Sequence, residues 1–364
     1  MVTACGGVRI PDGPPIKQAE LDERLEVAEA ARDSMPASDE LGRARASEAL
    51  ADLAWRLGDF DRVERYLVEA KGAVRAPSHC SERTRLTAVL SRHYIDADER
   101  SPSPPAEREL EAALDLFASC NQATWQAAYE VAYAQGEMAL DEEEWAAASA
   151  HFDRALAYVG AADESPGARL ARARHAIGQG GVRDGLGHPK AGAARYADAI
   201  GLLEALGLEG RRWWILALGW RAMDIADIAA ARAGYKDALK LGSQWVVSTH
   251  PTLGAARFNL AWLKAEEQKY LEAKTAYLEG LKIAQRAYEE GHKELVSVRL
   301  ELQRINRILG AYGEALIHGE TILDATRVVN ARRGDRITAL NNTGRVYLER
   351  GDLAAACVDR KAHV

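Results

Sequence analysis

The sequence is short of several things that would direct it to other classes of protein. It has four cysteines, Cys5, Cys80, Cys120 and Cys357, widely spaced and without a Cys-x-x-Cys pair. Neither a zinc site nor a disulfide framework is implied, and four free thiols in a reducing compartment are expected. No apolar run approaches the roughly 20 residues that span a bilayer. The first residues have neither the basic start nor the apolar core of a signal peptide, so a cytoplasmic protein is expected. A basic excess is absent too: the net charge is −7 over 364 residues. A general nucleic-acid binder needs a basic face to neutralise phosphates, so that class is set aside.

Ala, Leu, Glu and Arg are plentiful and Phe scarce, which is a helical mixture. Its pattern is most legible from Leu253 to Glu294. Leu253–Leu263 and Tyr270–Ile283 read as two amphipathic helices joined by a polar turn at Gln268, with small residues where helices touch and aromatics where they lock. Similar pairs recur as Arg43–Leu57 with Asp61–Val74, Trp125–Leu140 with Trp145–Val159, and Gly167–Arg183 with Pro189–Leu206. Trp213–Met223 pairs with Ile228–Leu241, and Val296–Leu309 with Glu314–Val329. The second pair, Ser81–Asp98 with Glu107–Ser119, is degenerate around a long Ser101–Pro105 turn, and the fourth departs from the pattern as well. The eighth begins at Ile337–Arg350 and has a short second helix, so an array without its final cap is expected, self-associating through that end. The residues after each turn, Trp145, Pro189, Ile228, Tyr270, Tyr312 and Leu353, recur at about 42 residues. The expectation is an all-α solenoid of about eight stacked antiparallel pairs over residues 18–364. A Pro- and Gly-rich arm precedes it at residues 1–17.

No catalytic constellation emerges. Gly178-Gln-Gly180-Gly181 and Gly185–Lys190 do not complete a phosphate loop. His188, His250, His292 and His318 have no ligands at metal spacing, and His292 and His318 read as surface residues. Asp141–Glu144 lacks the alternation of a calcium loop and reads as a solvated turn. Neither a cofactor nor a metal is expected.

Ala261, Gln268, Tyr270, Ala273, Tyr277 and Gly280 resemble, in order, the tetratricopeptide repeat (TPR) pattern. So do Gly136, Glu143, Trp145, Ala148, Phe152 and Ala155, and more briefly Gly344, Gly351, Leu353 and Ala356. The interval, and His250-Pro251 between repeats, resemble the extended repeats of kinesin light chains. The resemblance implies a right-handed superhelical solenoid and a non-catalytic protein-interaction scaffold that binds a peptide in its concave groove. Carried over by position, that groove offers Trp213, Leu216 and Trp220, then Phe258 and Trp262, then Arg304 and Arg307, then Asn341 and Arg345. Glu130, Tyr133 and Glu137 form an acidic end. A peptide with an apolar anchor followed by acidic residues would complement the second half. Two alternatives stand beside this: burial between helices for Trp213 and Trp220, and a merely solvated face for the arginines. The Lys-and-Asn carboxylate clamp of chaperone-binding members is not reproduced. Cys5, the Pro-rich arm and the helix Leu21–Ala31 also resemble the junction before repeat arrays in myxobacterial-type serine/threonine kinases. That likeness implies, as the alternative function, a regulatory or sensor region of a bacterial signalling protein.

Overall fold

One backbone feature paces the chain: a residue in the left-handed conformation closing the first helix of a pair. Gly58, Glu143, Gly187, Gln268, Gly310 and Gly351 all occupy it, with φ between 60 and 78°. After the first five the next helix starts two residues on, so the chain reverses and an antiparallel pair forms. A computed structural model describes residues 14–97, 103–161, 163–206, 211–223, 228–286, 288, 291–326 and 333–352.

Among the described residues there are sixteen α-helices and no strand. A leading helix, α1 (Gln18–Asp33), is followed by the pairs α2 (Glu40–Leu57) with α3 (Phe60–Ala73), α4 (Cys80–Ala97) with α5 (Pro104–Ser119), and α6 (Trp125–Asp141) with α7 (Trp145–Ala157). Then come α8 (Pro166–Gly185) with α9 (Pro189–Glu204) and α10 (Arg211–Met223) with α11 (Ile228–Ser243). Beyond them lie α12 (Pro251–Glu266) with α13 (Tyr270–Ala284), α14 (Lys293–Ile308) with α15 (Tyr312–Ala325), and α16 (Arg333–Glu349). The chain divides into two compact units, Met1–Ser248 and Thr249–Val364. The expected second helix of the last pair, and with it the uncapped end, lies outside the described residues. No described helix is long and apolar enough to cross a membrane.

Helix starts follow from local chemistry. Asp39 and Asp59 accept from the backbone N–H of Gly42 and Arg62 at 2.9 and 3.0 Å, supplying acceptors the helix cannot. The expected long turn at Ser101–Pro105 lies partly outside the described residues. Ser103 caps α5 and Pro104 and Pro105 sit inside its first turn, where a missing N–H costs nothing. His292, expected at the surface, is 3% exposed and caps α14, its Nδ1 accepting from the Glu294 N–H at 3.3 Å. His250, fully buried, caps α12 in the same way through the Thr252 N–H. His318 is buried as well.

Packing explains the small residues. Phe152 is fully buried between α6 and α8. A Cβ on Gly136 would lie 2.5 Å from its ring, and one on Gly178 would meet the other edge at 2.8 Å. Only glycine lets both helices close on that ring, whose burial contributes about 2–3 kcal/mol.

The thiol expectation is corrected. Cys80, opening α4, and Cys120, capping α5, form a disulfide with Cα atoms 5.7 Å apart. The two are distant in sequence and adjacent in space because α4 and α5 are antiparallel. The pair with the weakest repeat signature is thus the one tied covalently.

The first unit also closes on itself. The Ile16 N–H, near the end of the segment expected to be a loose arm, donates to the Ser243 carbonyl at 2.9 Å, and the Val247 N–H donates to the Arg56 carbonyl at 3.1 Å. The Trp55 and Trp245 rings pack with centroids 5.4 Å apart. Arg56 donates to the Trp245 carbonyl at 3.0 Å and lies over the Trp245 ring.

Candidate functional site

The left-handed turn residues supply a register for the inner face, formed by the first helix of each pair. Six residues before each lie Asp52, Glu137, Gly181, Trp262, Arg304 and Arg345. Ten before lie Glu48, Tyr133, Ile177, Phe258, Leu300 and Asn341, and thirteen before, in neighbouring pairs of the first unit, lie Glu130 and Arg174. Equivalent positions on successive helices are lateral neighbours, so the inner face can be read as columns.

In the first unit those columns are filled by the chain's own charges and rings. Glu130 and Arg174 form a two-pronged ion pair across neighbouring repeats, at 2.5 and 2.9 Å. Arg92 of α4 reaches Glu130 at 3.3 Å and also bonds Glu137 through its Nε. Burial pushes the Glu130 carboxyl up, but Arg174 and Arg92 more than reverse this and hold it down at about 2. The guanidiniums also stack. Arg174 lies 4.9 Å from the Tyr129 ring, 4.2 Å from Tyr133 and 5.1 Å from Trp213. Arg92 lies 5.0 Å from Tyr133 and 5.2 Å from Trp213. Arg212 continues the series between Trp213 and Trp55, at 5.7 and 4.5 Å. A ladder of alternating arginine and aromatic rungs therefore runs from Tyr129 to the Trp55–Trp245 contact. Beside it, Asp52, Trp55, Arg92 and Arg212 line a cavity of about 180 Å³.

One expectation is corrected by this arrangement. The acidic groove end at Glu130, Tyr133 and Glu137 is not open: Glu130 and Tyr133 are buried, and Arg92 and Arg174 satisfy both carboxylates. Trp213 is half-buried within the arginine stack. The side chain of Trp220 lies outside the described ones. Arg92 and Arg174 were missed because an arginine on an apolar helix face looks, in sequence, like a snorkelling surface residue. The available signal was registry, since Arg174 and Glu130 hold the same place in adjacent repeats.

The second unit differs. Phe258 does not reach a surface; at 7% exposure it packs on Tyr277, and a Cβ on Gly280 would lie 2.4 Å from its ring. Trp262, one turn further along α12, is 45% exposed. Arg304 is half-buried and paired with Glu301 of its own helix at 2.7 Å. Arg307 pairs with Glu349, tying α14 to α16, a tie reinforced by the Gln303 amide donating to the Thr343 hydroxyl at 3.0 Å. Asn341 and Arg345 are exposed. The column Trp262, Arg304, Arg345 is therefore an aromatic followed by two cations on three successive inner helices. Among the described residues no group of His, Cys, Asp or Glu could hold a metal ion.

No protein-family model matches the sequence, and no curated protein matches it. Solved structures match the fold. A Rap protein complexed with competence and sporulation factor superposes with a TM-score of 0.58 at 14% identity, covering 88% of this chain and 97% of that one. NprR in complex with its cognate peptide NprX gives 0.57 at 12%, covering 95% and 89%, and the apo form of RapI gives 0.54 at 12%, covering 88% and 85%. The chain has a TPR-like helical repeat fold. Its all-α solenoid of stacked helix pairs is the expected fold class.

Proposed function

We propose that this TPR-like chain is a non-catalytic, cytoplasmic interaction scaffold. It takes an extended peptide segment, from a peptide or a partner protein, along the inner face of its second unit. The observation that carries the reading is Trp262, 45% exposed on an inner helix and in column with Arg304 and the exposed Arg345. An exposed aromatic beside cations offers an apolar anchor and a register for carboxylates. The inner face of the first unit is occupied by its own ladder, which favours the second unit as the docking face. Two proteins of this fold have been solved in complexes, a Rap protein with competence and sporulation factor and NprR with its cognate peptide, which supports a peptide as ligand.

The test is an array of short peptides pairing one large apolar residue with downstream Asp or Glu, read by fluorescence anisotropy. Trp262→Ala should weaken the best binder by more than tenfold, the loss of about 2 kcal/mol typical of an aromatic anchor. Arg345→Glu should abolish the preference for acidic residues. Binding indifferent to Trp262→Ala would overturn the assignment of the surface, and turnover of any substrate would overturn the non-catalytic reading.

A further inference from the structure

The bridge between Cys80 and Cys120 lies outside the proposed peptide surface and has a pocket of its own. Cys80 is partly exposed and lines a depression of about 530 Å³ together with Arg75, Arg83, Ser78, Asn121 and Gln122. Cys120 is 7% exposed. The segment leading to Cys80 is held in place: the Glu40 carboxylate accepts from the Arg75 and Ala76 N–H groups at 3.0 and 2.9 Å and meets His79 Nδ1 at 3.2 Å. Arg75 and Arg83 are both exposed. Cys80 opens an 18-residue helix, whose dipole favours a thiolate there once the bridge is opened. The Ser81 hydroxyl, next along, accepts from the Thr124 N–H at 2.8 Å and fastens this corner to the start of α6.

We propose that Cys80 and Cys120 form an exchangeable redox pair in which Cys80 is the site of S-thiolation by anionic low-molecular-weight thiols, with Arg75 and Arg83 receiving the thiol's carboxylates. In the reduced protein the Cys80 thiolate attacks one sulfur of a small disulfide RSSR. A Cys80–SR bond forms and RS⁻ leaves. The Cys120 thiolate then attacks Cys80 Sγ, expelling the second RS⁻ and forming the intramolecular bridge. Two protein thiols are oxidised, one RSSR is reduced to two RSH, and the protons of the protein thiols go to the departing thiolates. Reduction is the reverse path: RS⁻ enters the pocket, bonds to Cys80 and releases Cys120. Exposure selects Cys80 in both directions, since the sulfur that bonds to RS must be the one a small molecule can reach.

The experiment uses the full chain with Cys5 and Cys357 changed to Ser. Reduced protein is mixed with glutathione disulfide or with cystamine, a small disulfide of opposite charge, and quenched for peptide mass spectrometry. In Cys120→Ser, one glutathionyl group should accumulate on Cys80; in Cys80→Ser, labelling of Cys120 should be at least tenfold slower. Arg75→Ala with Arg83→Ala, both at exposed positions, should slow glutathione disulfide roughly tenfold and leave cystamine unchanged. Because a serine variant can unfold, the protein with Cys80 and Cys120 intact is also titrated in glutathione redox buffer with alkylation of free thiols. There the bridge should open and close reversibly, with a Cys80 mixed disulfide as intermediate. Equal labelling of both cysteines, charge-independent rates, or a bridge indifferent to the buffer would overturn the proposal.

Discussion

Glu130 illustrates how one residue fixes the inside of the first unit. Its carboxylate is shared by Arg174 and Arg92 in a site where all three side chains are nearly inaccessible. Glu130→Gln leaves two guanidiniums short of a counter-charge and should cost about 3–5 kcal/mol, measured by urea denaturation. The sign of its pH dependence follows from the shift. The folded carboxyl lies at about 2 against an ordinary 4.5, so its contribution is complete above 4.5 and drains away as pH falls from 4.5 towards 2. The integrated loss is about 3 kcal/mol. Asp52 runs the other way. The side chain is exposed, but the walls of the cavity it lines partly desolvate its carboxyl and push it up against the pull of Arg56 and Arg212, so it weakens the folded state at neutral pH and ceases to do so on acidification. Asp52→Asn should therefore raise the urea midpoint at pH 7 and leave it unchanged in acid, separating the two carboxylates in one titration.

At the scale of the element, the left-handed turn is the feature that substitutions test most directly. Gln268 and Glu143 adopt φ of 61 and 60° without being glycine, at a cost of about 1 kcal/mol each. Gln268→Gly should recover roughly half of it after the added freedom of the unfolded chain is charged against it. Gly310→Ala, at φ 72° with no atom within 4 Å of its Cβ, should lose about 1 kcal/mol by backbone strain alone. Calorimetric melting of the two variants should shift in opposite directions. The same turns explain what could be read beforehand. Helix ends, Pro189 at a first turn and the glycines facing Phe152 depend on residues within one or two repeats, so spacing exposes them. The ion pair between Arg174 and Glu130 spans 44 residues, and the contact of Arg56 with the Trp245 carbonyl spans 189. Registry pairs the first, whose residues hold the same place in adjacent repeats, once an arginine is taken as an inner-face residue; periodicity carries no information about which residues meet over the second distance. The disulfide escaped for a related reason, because a pairing of Cys80 with Cys120 is visible only once α4 and α5 are known to be antiparallel and in register.

On the scale of the whole first unit, the closure at Trp245 poses a question of cause and consequence. Joining two points 189 residues apart in an unstructured chain costs about 5 kcal/mol in entropy, which a ring contact and three hydrogen bonds do little more than offset. Here the stacked pairs have already carried the chain round, so the closure adds to a geometry it did not create. That order predicts an asymmetry. Trp245→Ala should lower stability by about 3 kcal/mol and raise amide exchange at Ile16 and Val247, whose N–H groups bridge the closure. The amides around Tyr129 and Tyr133 in α6 should remain protected. Gly178→Leu, forced against Phe152 in the middle of the array, should instead raise exchange at both places, because the ends meet only while the pairs between them hold their stacking. If Trp245→Ala exposed α6 as fully as Gly178→Leu does, the closure would be shaping the unit rather than finishing it, and stacking of neighbouring pairs would no longer suffice as the source of its curvature.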